Sequence, residues 1–419
     1  MNNNNDTISL PVEQKITIPN GYKKTAIGVI PVDWDVKKLG DLGEVINGLT
    51  YSPKDINEEG TLVLRSSNIK DRELAFLDNV YVLSEKYNPV KKDDILICVR
   101  NGSKSLIGKN ALITVEAEGL AFGAFMAVYR SDYNKYLYHI FATDLYQKEI
   151  HKNLGATINS INGSDLKLFK IALPPLPEQQ KIAKILSTWD EAITNCKTTI
   201  NTLKSRNKGL AQQLLTGKKR LSGFSDKWEI KKIINFSKEL SSKNKEDEDL
   251  IVLSCTKHNG LVPSLEYFGR KIYSDNLKTY KIVEKNVFAY ATNHIEEGSI
   301  GYQSKYNKAL ISPMYTVFKT AENINDEFLF RVLKSNTYIQ EYQKRMEGSI
   351  DRRGGLRWQE FSKIKVNVPL VDEQKAISQV LETANQELKS YEDKLKALQL
   401  QKKGLMQQLL TGKIRVNVN

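Results

Sequence analysis

Cysteine and histidine are scarce in this 419-residue chain: three cysteines (Cys98, Cys196, Cys255) and four histidines (His139, His151, His258, His294). No two cysteines have CxxC spacing, and no histidine stands at metal-ligand spacing from a cysteine or an acid, so neither a zinc module nor a disulfide framework is expected. Two of the cysteines lie in apolar, strand-like runs and read as reduced core thiols of a cytoplasmic protein. No apolar run approaches the ~18 residues a membrane span needs. The opening MNNNNDTISLPVEQK lacks the basic-then-apolar order of an export signal. Methyl transfer is not expected, because no NPPY- or DPPY-like tetrapeptide occurs. LTGKKR and LTGKIR are not phosphate loops: Gln212 or Gln407 stands where the first glycine belongs, and no Ser or Thr follows the lysine.

What the chain does have is a long repeat. The segment Pro174 to Arg220 recurs without a gap 195 residues later, from Pro369 to Arg415, ending first in GLAQQLLTGKKR and then in GLMQQLLTGKIR. That period far exceeds the roughly 20 to 50 residues of solenoid repeats, so a whole domain-plus-helix unit has been duplicated. The remainder repeats faintly: Trp34 in DWDVKKL answers Trp228 in KWEIKKI, Ile107-Gly108 answers Ile300-Gly301, and KYLYHIF answers EFLFRVL. Two similar scaffolds with different surfaces are thus joined to two copies of one helix.

Each scaffold reads as α+β rather than alternating βαβ, with short strands (ILICV at 95 to 99 and FMAVYR at 125 to 130; later VFAYAT and MYTVFK) and one helix. The first helix is expected near 135 to 153; the second is expected to be capped by Asp326 and to reach about Met346. Five segments follow: a disordered tail at 1–20, a first domain at 21–170, a central helix at 171–222, a second domain at 223–365 and a C-terminal helix at 366–419.

The two helices carry a/d heptad seams. Leu186, Ile193, Ile200, Asn207 and Leu214 alternate with Ile182, Trp189, Cys196, Leu203 and Leu210 in the first. Leu381, Leu388, Leu395, Lys402 and Leu409 alternate with Ile377, Ala384, Tyr391, Leu398 and Leu405 in the second. Asn207 and Lys402 occupy equivalent a positions; either the seam frays there and they reach water, or they are buried to fix register. Helices of this length span ~57 Å at 1.5 Å per residue. Two in one chain most simply pair antiparallel, as a coiled coil with a domain at each end and a pseudo-twofold axis.

Sixty-two Lys and Arg against 49 Asp and Glu leave a formal charge of +13, which favours a polyanionic partner. Base edges are read by forked donors and acceptors, and phosphates by Lys, Arg, hydroxyls and amides. LRSSNIK supplies Arg65, Ser66, Ser67, Asn68 and Lys70; VRNGSKS supplies Arg100, Asn101, Ser103 and Lys104. In the second domain the candidates are Lys257, His258 and Asn259, then Asn293 and His294, then Arg352, Arg353 and Arg357 in SIDRRGGLRW. Solvated polar loops are the competing reading for each group.

A diverged domain followed by PLPEQQKIAKIL and GLAQQLLTGK, with the arrangement stated twice, resembles the specificity subunit of type I restriction-modification enzymes. The lead-in GYKKTAIGVIPVDW, its counterpart LSGFSDKW and the stretch VRNGSKSLIGK match as well, whereas IEEGSIGYQSKYNK matches poorly. The resemblance implies two target recognition domains, each reading half of a split, asymmetric site in double-stranded DNA. It implies helices that space them and dock two modification subunits, which bring adenine methyltransferase activity, together with restriction subunits. On this resemblance the chain itself has no catalysis, cofactor or metal, and S-adenosylmethionine and ATP belong to the partner subunits. The helix starts (Pro174, Glu178, Gln179; Pro369, Glu373, Gln374) and ends (Gln212, Gln213; Gln407, Gln408) become spacer and partner residues. A coiled-coil scaffold with two basic domains and no sequence preference is the alternative.

Overall fold

The computed structural model describes residues 18–84, 86–154, 159–347 and 355–417. The expected polar tail therefore falls almost wholly outside the described residues. Contacts divide the chain into two compact units, Met1–Cys196 with Lys394–Asn419, and Lys197–Asp393. Whereas the sequence separates helices from domains, each compact unit keeps half of both helices.

In the first unit the central sheet consists of β1 (Glu44–Asn47), β2 (Ile95–Cys98), β3 (Asn110–Leu112) and β4 (Met126–Arg130), in the order β3-β2-β4-β1 and antiparallel throughout. The second unit repeats this with β5 (Ser237–Leu240), β6 (Val287–Ala291), β7 (Ile300–Gln303) and β8 (Tyr315–Thr320), in the order β7-β6-β8-β5. The inner strands β2 and β6 are buried along their whole length, which is why both read as continuous apolar runs. Beside the central sheet the units diverge. Ile56–Leu64 anchors a three-stranded sheet in the first, and Val252–Thr256 belongs to a four-stranded one in the second.

The expected single helix near 135 to 153 is two, Asn134–Ile140 and Asp144–Lys152, because the Thr143 hydroxyl accepts from Tyr146 N (3.3 Å) and starts a new helix. Its counterpart also breaks, into Asp326–Leu333 and Asn336–Glu347, and Asn325, not Asp326, is the cap, accepting from Phe328 N at 2.9 Å.

The long helices are α1 (Leu176–Leu215) and α2 (Val371–Leu409). In the first unit Glu178 meets Arg415 and Asp190 meets Lys402; in the second Asn207 meets Ala384 and Lys204 meets Glu392. In each unit the helices therefore run antiparallel, as the heptads predict. Neither polar a residue frays to water. Asn207 Nδ2 donates to Ala384 O (2.8 Å), and Lys402, with its side chain 13% exposed, pairs with Asp190. Each core spreads onto the helices: Trp34, Ile182, Leu186 and Leu409 share one cluster, and Phe236, Leu214, Ile377 and Leu381 another. Among the described residues no helix is long and apolar enough to cross a membrane. Cys98 and Cys196 are buried, and burial pushes the Cys255 thiol up to about 12.

Candidate nucleic-acid interface

The most repeated feature is a clasp where each domain meets its helix. Glu178, in the first turn of α1, accepts from Trp34 Nε1 (2.9 Å) and from Arg415 Nε and Nη2 (both 2.8 Å). Glu373, in the first turn of α2, accepts from Trp228 Nε1 (3.0 Å) and from Arg220 Nε (2.6 Å) and Nη2 (2.7 Å). Each carboxylate sits where helix-start charge is favourable and is fully bonded, which is what makes its burial tolerable. Gln179 and Gln374 return their side-chain amides to the carbonyls of Pro174 (2.6 Å) and Pro369 (2.8 Å). Arg415 also binds Asp33, and this hydrogen bond holds the Asp33 carboxyl below its ordinary range.

This geometry changes the role of six residues. Pro174, Glu178, Gln179, Pro369, Glu373 and Gln374 are buried and bonded within the chain, so they lock domain to helix and offer no side chain to a partner. Gln212, Gln213, Gln407 and Gln408 are exposed.

The two candidate loops of the first domain come together. Asn101 Nδ2 donates to Ser66 Oγ (3.1 Å), and Lys109 Nζ donates to the Ser66 carbonyl (3.1 Å). Arg65 is half-buried and paired with Asp78 at 3.0 Å, while Ser67, Lys70, Arg100, Ser103 and Lys104 are exposed. Asn68 is not a surface contact: it is 0% exposed, its Oδ1 accepts from Arg65 N (2.9 Å), and its Nδ2 donates to Ala75 O (3.0 Å) and Asn79 Oδ1 (3.2 Å). It shapes the loop that presents its neighbours.

In the second domain Lys257, His258 and Asn259 form an exposed turn between Val252–Thr256 and Gly260–Pro263. Lys334, which sequence reasoning missed, holds it: Nζ donates to the carbonyls of Lys257 (2.7 Å), Thr256 (3.3 Å) and Ile300 (3.3 Å), and also to that of Gly298. Burial lowers the pKa of this lysine. Asn293 and His294 are exposed after β6, and Arg357 is brought beside them because Leu356 N donates to Thr292 O (2.9 Å). Gly355 has φ +66°, and a Cβ there would lie 2.5 Å from both Thr292 O and Asn293 Oδ1, so glycine is required at this crossing. Arg352 and Arg353 lie outside the described residues. Side-chain ligand atoms of His294, Glu296 and Glu297 gather within 4.8 Å of one another, a grouping the sequence reading passed over; it is largely solvent-exposed.

These two surfaces stand on equivalent sheets but share almost no chemistry. Residues 31–205 match the family described as type I restriction modification DNA specificity domain. The chain is 29% identical over 94% of its length, and 97% of the relative, to the putative type I restriction enzyme MjaX specificity subunit of Methanocaldococcus jannaschii. It is 28% identical to the EcoKI specificity subunit of Escherichia coli K12, over 45% of this chain and 43% of that one. In fold it is similar to the crystal structure of the type I restriction-modification S subunit from M. genitalium, with a TM-score of 0.56, 18% identity and coverage of 94% and 98%. Two mixed α/β units, each holding part of both long helices, are the architecture that this likeness covers. Over nearly its whole length the chain is thus similar to specificity subunits of type I restriction-modification enzymes.

Proposed function

We propose that this chain reads a split, asymmetric site in double-stranded DNA, with one domain on each half-site. It docks two modification subunits on its helices, and restriction subunits join that assembly. S-adenosylmethionine and ATP are used by those partners. The observation that carries this reading is the pair of equivalent sheets with different residues at equivalent places: Arg100 and Asn101 after β2, Asn293 and His294 after β6. A scaffold without sequence preference has no need of two distinct surfaces. The net charge of +13 supplies the general attraction to the phosphate backbone.

Selection from a random duplex pool, with the chain assembled with its modification subunits, tests this. One split motif with a fixed spacer is expected, bound at least ~10³-fold more tightly than random duplex. Binding that falls steeply with salt and enriches no motif would support the scaffold instead.

A further inference from the structure

Each central sheet places one large apolar side chain on the surface, at the same position. Phe125 precedes β4 and is 57% exposed; Met314 precedes β8 and is 66% exposed. Strand register equates them, since Met126 faces Cys98 in the first sheet and Tyr315 faces Ala291 in the second. Neither backbone hangs free. The Phe125 carbonyl accepts from Val99 N (3.0 Å) and Arg100 N (3.1 Å), and the Met314 carbonyl accepts from Thr292 Oγ1 (3.2 Å).

Single exposed apolar residues are ordinary on protein surfaces. Here one recurs at a fixed register position in two surfaces that otherwise diverged, and each stands among candidate base-reading groups. The Arg100 guanidinium lies 5.8 Å from the Phe125 ring centroid. Tyr51, Arg65 and Ser66 line a recess of about 520 Å³ with Phe125. Met314 adjoins Thr292, which is followed by Asn293 and bonded through its carbonyl to Leu356, next to Arg357. An apolar tip flanked by forked donors complements an A·T pair in the major groove, where the thymine C5-methyl stands beside hydrogen-bonding edges.

We infer that Phe125 and Met314 are specificity-determining residues that pack on thymine methyl groups, one in each half-site. The inference rests on the split-site reading above. The test uses the full chain with its modification subunits and duplexes bearing its split motif, with thymines replaced singly by uracil, which removes only the methyl. At one or more positions in each half-site, the substitution should weaken binding about fourfold, the effect of one buried methyl-sized group. Phe125→Ala should abolish the sensitivity in one half-site only and Met314→Ala in the other, while Phe125→Leu keeps it. A split motif bound equally well with every uracil substitution overturns the inference and leaves the split-site reading standing. No split motif at all overturns both.

Discussion

Single residues in this chain divide into those that hold surfaces and those that are surface. His139 belongs to the first kind: it is 1% exposed, with Nε2 3.3 Å from Ser187 Oγ and Nδ1 3.8 Å from Asp190. Burial first, then the charges of Lys402 and Arg72, push its pKa down to about 3, and the Asp190 charge is already engaged by Lys402. The unfolded chain therefore takes up a proton near pH 6.5 that the folded chain refuses, and stability falls as pH drops from 6.5 towards 3. Between pH 7.5 and 5.0 the loss should be about 2 kcal/mol. His139→Gln should flatten that part of the urea-unfolding profile; an unchanged slope would contradict the assignment. Roles of this kind are not written in local sequence. Asn68 and Ser67 are adjacent and equally polar, yet one is sealed inside its loop and the other exposed. Only the carbonyls of Ala75 and Asp78, supplied by a later segment, decide between them.

Among elements, the long helices were the most legible, because a heptad seam repeats its signal along the whole length of α1 and α2. The helix breaks at Thr143 and before Asn336 were not, since each depends on local hydrogen bonds that apolar periodicity does not register. The polar a positions needed the structure as well: a lysine at a seam reads alike whether it frays or pairs, and Asp190 on the facing helix settles it. Asp190→Asn leaves the Lys402 charge buried without its partner and should cost about 3 kcal/mol. Asp190→Asn combined with Lys402→Met should recover most of that loss in chemical unfolding. Equal stabilities for the single and double variants would show that the pair is not coupled.

For the whole molecule, duplication is the governing fact. It explains the matching sheet orders and the paired Trp–Glu–Arg clasps, and it was visible because the clasp segments changed least: Trp34, Glu178 and Arg415 against Trp228, Glu373 and Arg220. The candidate reading surfaces were only partly legible for the same reason. Side chains that differ between copies leave no pattern to read, so Lys109, Phe125 and Lys334 went unnoticed. The same divergence is what two readers of different half-sites require. Mapping N6-methyladenine across a host genome without other methyltransferases, in cells expressing this chain with its modification subunit, tests that claim most directly. One split motif with two unlike half-sites and a constant spacer is expected. An assembled complex that leaves no methylation, or methylates without a motif, would contradict it.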